Sequence, residues 1–158
     1  MFVRYYVEIP LPPELVLVTL ARDATGWMPG LAGEAHRHGE AILASVGFDL
    51  GALHVGKRVR LDVGMPVRVN GRHLIPLAWR ATGAGALFPA LDADLEIAPL
   101  GPHATQLAIA GRYEPPLGTL GRVANRALLH RVAEGTIKRF LDGVRSTIEA
   151  IAAAERAG

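Results

Sequence analysis

Apolar and polar residues alternate with a period of two from Phe2 to Ile9. Val3, Tyr5, Val7 and Ile9 share one face, and Arg4, Tyr6 and Glu8 the other. That period marks a half-buried strand. It stops at Pro10, and Pro12-Pro13-Glu14 then suits a helix start, because proline in the first turn forfeits no hydrogen bond. Leu15 to Arg22 is predicted as a short helix. A second short helical region is predicted within Trp27 to Val46, interrupted by Pro29-Gly30 and by the glycines at 33 and 39.

From Leu53 to Glu114 the period is again two. Val59, Leu61 and Val63 alternate with Arg58, Arg60 and Asp62; Ile75, Leu77 and Trp79 form the apolar set of a later strand. Between them Asn70-Gly71 predicts a two-residue hairpin turn, since both residues tolerate positive φ. Leu91, Ala93, Leu95 and Ile97 oppose Asp92, Asp94 and Glu96, and the last strand sets Leu107, Ile109, Gly111 and Tyr113 against Gln106 and Arg112. One apolar face and one wet face are what an antiparallel meander requires.

After Tyr113-Glu114-Pro115-Pro116-Leu117-Gly118 the period becomes helical and stays so to the end, about nine turns without a proline. The helix is expected to start near Thr119 or Leu120. Leu120, Ala124, Leu128, Val132, Phe140, Val144, Ile148 and Ile151 make one apolar stripe. Glu134/Lys138, Lys138/Asp142 and Arg145/Glu149 are favourable pairs on the wet side. Gly135 and Gly143 weaken the helix by about 1 kcal/mol each relative to alanine, so packing on the sheet must hold it together. The prediction is an α+β chain, an antiparallel sheet closed by one long C-terminal helix, as a single domain over 1–158.

Composition narrows the function classes. Half of the 158 residues are hydrophobic, yet no apolar run reaches the ~20 residues of a membrane-spanning helix. There is no cysteine, which excludes disulfides, thiolate nucleophiles and cysteine-type metal centres. Met1-Phe2-Val3-Arg4-Tyr5 lacks the pattern of a signal peptide, so a cytoplasmic location is expected. The net charge is only +2, with Lys57 and Lys138 the only lysines, and nucleic-acid binding is not expected.

The order of strand, two short helices, antiparallel strands and long closing helix resembles the helix-grip fold of the SRPBCC superfamily. That superfamily includes START lipid-transfer domains, the birch-pollen-allergen group, coenzyme Q-binding proteins and polyketide cyclases. Closer similarity lies in Val7-Glu8-Ile9-Pro10 with Pro12-Pro13-Glu14, and in Gly111-Arg112-Tyr113 through Phe140-Leu141, which look like uncharacterised bacterial members. The resemblance implies a curved sheet wrapped around the helix, with an internal cavity between them for a small hydrophobic ligand such as a lipid, isoprenoid or polyketide-like molecule. Its lining would be Tyr5, Leu61, Leu77, Trp79, Leu95, Ile109 and Tyr113 from the sheet, and Leu128, Val132, Thr136 and Phe140 from the helix. Trp27 and Met28 would form a lip at its mouth. A cyclase or dehydratase acting on such a ligand, or a protein-interaction module, are the alternatives. No cofactor is implied, and a homodimer is compatible with the pattern.

The residues offer little reactive chemistry. The inward pattern carries Tyr113, Tyr5, His73 and Thr136 as polar groups, and no catalytic set is evident. Glu34, His36, His38 and Glu40 are the only dense group of metal-ligand types. His36 and His38 fall on different helix faces, so they are read as a solvated surface, not a metal site. Asp92, Asp94 and Glu96 sit opposite the apolar set and are expected in water, unlike buried acid–base carboxylates. Arg122, Arg126 and His130 form a basic helix face for solvent, a partner or an anionic surface. Ser45 and Ser146 lie outside any nucleophile-elbow sequence, and Gly83-Ala84-Gly85 reads as a turn.

Overall fold

The computed structural model describes residues 1–47, 58–82, 90–114 and 125–158. Strand β1 (Phe2–Ile9) leads into helix α1 (Pro13–Ser45). Five strands follow: β2 (Arg58–Val63), β3 (Val67–Val69), β4 (Arg72–Thr82), β5 (Ala90–Gly101) and β6 (Ala104–Glu114). Helix α2 (Arg126–Ala157) closes the chain. The six strands form one antiparallel sheet in the order β1-β6-β5-β4-β2, with β3 also paired to β4. This is the helix-grip arrangement, an α+β fold with a long C-terminal helix across an antiparallel sheet.

The alternation places the strands as expected. Val3, Val7, Ile9, Ile75, Leu77, Trp79, Leu91, Leu95, Ile97, Leu107, Ile109 and Tyr113 are all buried on one face. The outer face is wet. There Arg80 makes a two-pronged contact with Asp92 at 3.0 and 3.1 Å, and Arg72 reaches Glu96 at 3.0 Å. The β3–β4 turn has φ of 50° at Asn70 and 78° at Gly71, the double positive φ of a type I′ hairpin.

The helices sharpen the expectation. Helical residues run for 33 positions after β1, but as two helices that meet at a kink at Asp23, whose φ of −151° and ψ of 27° interrupt the helical path directly after the expected end of the first at Arg22. Pro29 does not end the second helix. It lies in the second turn after that kink, where it removes the hydrogen bond to the carbonyl four residues back and crowds that carbonyl, a cost that packing must offset. At the other end of the chain, α2 starts at Arg126, and the expected start near Thr119 falls outside the described residues. Asn125 caps it, its side chain accepting from Leu128 N at 2.8 Å and satisfying one of the otherwise orphaned amides.

Helix α2 is buried on two sides. Val132, Phe140, Val144 and Ile148 of the expected stripe are buried, while Leu128 and Ile151 are half-buried. Ala133, Ile137, Leu141 and Ala152 are buried too. The second helix explains the extra set. α1 and α2 run antiparallel, with ion pairs Arg22–Glu155 and Glu34–Arg139 spaced along them. They approach closely at glycines: a Cβ on Gly39 would lie 2.3 Å from Thr136 Oγ1, and one on Gly143 would lie 2.9 Å from Leu31 Cδ2. Among the described residues no helix is long and apolar enough to cross a membrane.

Candidate functional site

Strand register puts Arg58, Thr82, Ala90 and Glu114 at one end of the sheet. The innermost row nearest that end crosses four strands as Leu61–Trp79–Leu91–Tyr113. Above it lie the first turns of α2 and the last turns of α1. Trp79 meets Phe140 of α2 edge-on, ring centres 5.2 Å apart, a favoured aromatic geometry. One α2 turn before Phe140, Thr136 lies beside Tyr113.

Here the apolar interior turns polar. Tyr113, at 1 % exposure, has its hydroxyl next to that of Thr136. Burial pushes the Tyr113 pKa up to about 12; the Thr136 hydroxyl opposes that shift in part, and the Glu40 carboxylate reinforces it. Glu40 belongs to α1, as does His36, whose Nε2 lies 3.1 Å from Glu40 Oε1. His36 is 9 % exposed, and its Nε2 lacks the alignment for a hydrogen bond despite that short distance. Among the described residues Thr136 Oγ1 has the Tyr113 hydroxyl beside it, short of the geometry of a well-formed hydrogen bond. Four polar side chains from β6, α1 and α2 thus converge, two with unsatisfied atoms, in surroundings where an unmet polar group costs about 1–3 kcal/mol.

Several expected lining residues gather here. Trp79, Tyr113, Val132, Thr136 and Phe140 are buried around this end, and Leu128 packs with Leu43 and Val132 in a small apolar cluster under the start of α2. Leu61 is half-buried on β2. Leu77, Leu95 and Ile109 lie deeper, at 2 %, 0 % and 0 % exposure, within the main core. Tyr5 is elsewhere: it borders a surface cleft beside α2, where Lys138 Nζ stands 5.5 Å from its ring centre. Trp27 and Met28 lie roughly 18 Å along α1 from Gly39. Met28 is enclosed in the core, and Trp27 packs against it with a buried ring N–H that has no partner among the described residues.

The other candidates separate similarly. His38 is exposed while His36 is buried, so the surface reading of that group fails for His36 and for the largely buried Glu40. Asp92 and Asp94 are exposed and Glu96 is half-buried, on the outer face. His73 is half-buried, and His130 pairs with Glu134 at 3.0 Å, displacing the expected Glu134/Lys138 pair. Arg122 and Gly83-Ala84-Gly85 fall outside the described residues. The inward role of Glu40 and His36 left one trace in the sequence, their i,i+4 spacing, which puts both on one side of a helix.

No protein-family model and no curated protein matches the sequence. Solved structures do match it in fold. A conserved protein from Geobacillus kaustophilus superposes with a TM-score of 0.54 at 15 % identity, over 95 % of this chain and 96 % of its own. A hypothetical protein from Helicobacter pylori gives 0.51 at 12 % identity, over 93 % and 87 %. A looser likeness, TM-score 0.44 at 14 % identity over 94 % and 93 %, is to the ZhuI aromatase/cyclase of a Streptomyces species. The chain shares its α+β fold with the first two of these structures; at these identities the likeness extends to fold alone.

Proposed function

We propose that this protein binds a small hydrophobic ligand, of lipid, isoprenoid or polyketide-like character, between the sheet and the start of α2. The observation that carries this reading is the set of buried polar groups, Tyr113, Thr136, His36 and Glu40, at one end of a mostly apolar interior. Unsatisfied polar atoms in such a place suit the one polar group of a mostly apolar molecule: apolar walls supply affinity and a few polar atoms fix orientation. Tyr113, neutral at all ordinary pH, donates a hydrogen bond to a ligand carbonyl or hydroxyl. Trp79, Val132 and Phe140 form the wall beside it. A ligand of ~20 heavy atoms gaining about 0.3 kcal/mol each would bind with roughly 6 kcal/mol, or tens of micromolar, which suits reversible carriage. The test is native mass spectrometry of the purified chain with and without an added lipid extract. A bound small molecule of defined mass supports the reading, and a chain that stays bare in every mixture refutes it.

The Glu40–His36 approach favours a second reading, an enzyme of the cyclase or dehydratase type. A carboxylate held by an imidazole beside a neutral phenol can take a proton from a carbon next to a carbonyl while the phenol hydrogen-bonds the carbonyl oxygen. On this reading Tyr113→Phe removes turnover of the extracted ligand while leaving its binding nearly intact. Unchanged turnover would exclude Tyr113 as the donor.

A further inference from the structure

A second recess lies outside this interior, where the edge of β1 meets α2 and the end of α1. It is a cleft of about 540 Å³, within the range of small-molecule sites. Its floor is apolar, from Val3, the Tyr5 ring, Ile42 and Ile137, and Gly135 contributes no side chain. Its rim is cationic: Arg4, Arg131 and Lys138, with His38 beside them and Glu134 the one acid.

The charges on this rim are unequally committed. Glu134 is engaged by His130 at 3.0 Å, and Lys138 by Asp142. Among the described residues, Arg4 and Arg131 have no carboxylate within 4 Å. Two guanidiniums over an apolar floor, paired to no carboxylate among the described residues, leave a local positive field, and guanidinium is the side chain best shaped for a carboxylate.

Strand pairing adds a main-chain donor. Met1 and Tyr113 exchange both hydrogen bonds, Met1 N to Tyr113 O at 2.7 Å and Tyr113 N to Met1 O at 2.8 Å. In an antiparallel pair such residues alternate with ones that face away. Val3 and Tyr5 therefore bond to β6, while the N–H and C=O of Arg4 point to the other side. β1 is the end strand of the sheet, so among the described residues that edge carries no partner strand.

We infer that this cleft binds an amphipathic carboxylate, its alkyl chain on the Val3–Tyr5–Ile42–Ile137 floor and its carboxylate at Arg4 and Arg131. The site is distinct from the Tyr113–Thr136 interior and does not depend on the function proposed for it. Titration calorimetry of the full chain with dodecanoate, and with dodecanol as the uncharged equivalent, tests this. Dodecanoate is expected to bind one-to-one, roughly tenfold or more tighter than dodecanol. Binding should weaken as salt rises. It should weaken by about tenfold in Arg4→Ala/Arg131→Ala, two exposed positions whose loss leaves the core intact. Tyr113→Phe should leave it unchanged. Absence of saturable binding overturns the inference. So does binding that ignores the arginine substitutions, and if that binding also falls in Tyr113→Phe, the probe has entered the interior and the primary reading survives without this one.

Discussion

The Thr136 hydroxyl is confined from three sides. Gly39 of α1 leaves it room, Tyr113 of β6 lies beside it, and Phe140 follows one turn later on its own helix. Gly39→Ala would place a methyl group 2.3 Å from Thr136 Oγ1, an overlap expected to cost about 1–3 kcal/mol in chemical denaturation. Thr136→Ala removes the overlapping atom, so the double variant should recover most of that loss. Additive costs would show that the two residues do not touch. Tyr113 makes a separate prediction in alkali. Its folded-state pKa, about 12, lies above the ordinary value of 10.0, so the neutral phenol is the form favoured by folding. Its contribution is complete below pH 10 and is lost as pH rises toward 12, because only the unfolded chain ionises there. Wild-type stability should fall more steeply than that of Tyr113→Phe across this window. Parallel curves would mean that Tyr113 is not buried as a neutral group. The sequence singled out Tyr113 and Thr136 because each sits at an inward position of a regular element. It marked His36 and Glu40 only as part of a solvated group: α1 is polar on several sides, and only its packing against α2 decides which side is inward.

At the scale of elements, strand identity was legible because a period of two leaves no ambiguity about faces, and the Asn70-Gly71 turn because its φ values demand those residues. Helix limits were legible only in part. The break at Asp23 falls directly after Arg22, where the first helix was expected to end, but Pro29-Gly30, which looks like a further interruption, lies inside the second helix. The described start of α2 at Arg126 is set by a single side chain, that of Asn125, which no apolar spacing announces. Replacing Asn125 with alanine should cost about 1 kcal/mol in denaturant unfolding, with no change in the slope; no measurable loss would mean the cap is not formed in solution. In the sheet, Gly111 lets β6 lie hard against β5: a Cβ there would be 2.2 Å from Asp92 O and 2.4 Å from Ala93 Cα, both main-chain atoms that cannot step aside. Gly111→Ala should therefore lose stability at or beyond the upper end of the ~1–3 kcal/mol usual for overpacking, and a loss below that range would contradict the close strand approach.

At the scale of the whole molecule, the described helices cover one face of a six-stranded sheet; Thr19 and Thr105 are buried with their hydroxyls bonded to main-chain carbonyls, and the largest gathering of buried polar side chains among the described residues lies at one end. Packing core and proposed binding end divide along that face. The deep half, around Leu95, Ile109 and Val144, is tightly packed core, whereas at the end bearing Tyr113, Thr136, His36 and Glu40 two buried atoms, His36 Nε2 and Thr136 Oγ1, have no well-formed hydrogen bond among the described residues. The sequence conveyed the greasy wall and the long helix above it, since both are periodic. The polar end is assembled from three elements far apart in the chain, and no local pattern announces it. The most direct measurement is native mass spectrometry of the wild-type chain and of Tyr113→Phe/Thr136→Val after exposure to the same lipid extract. The account predicts a retained hydrophobic small molecule on the wild type and markedly reduced retention on the variant. A wild-type chain that stays bare, or one whose bound molecule is kept equally by the variant, would contradict it.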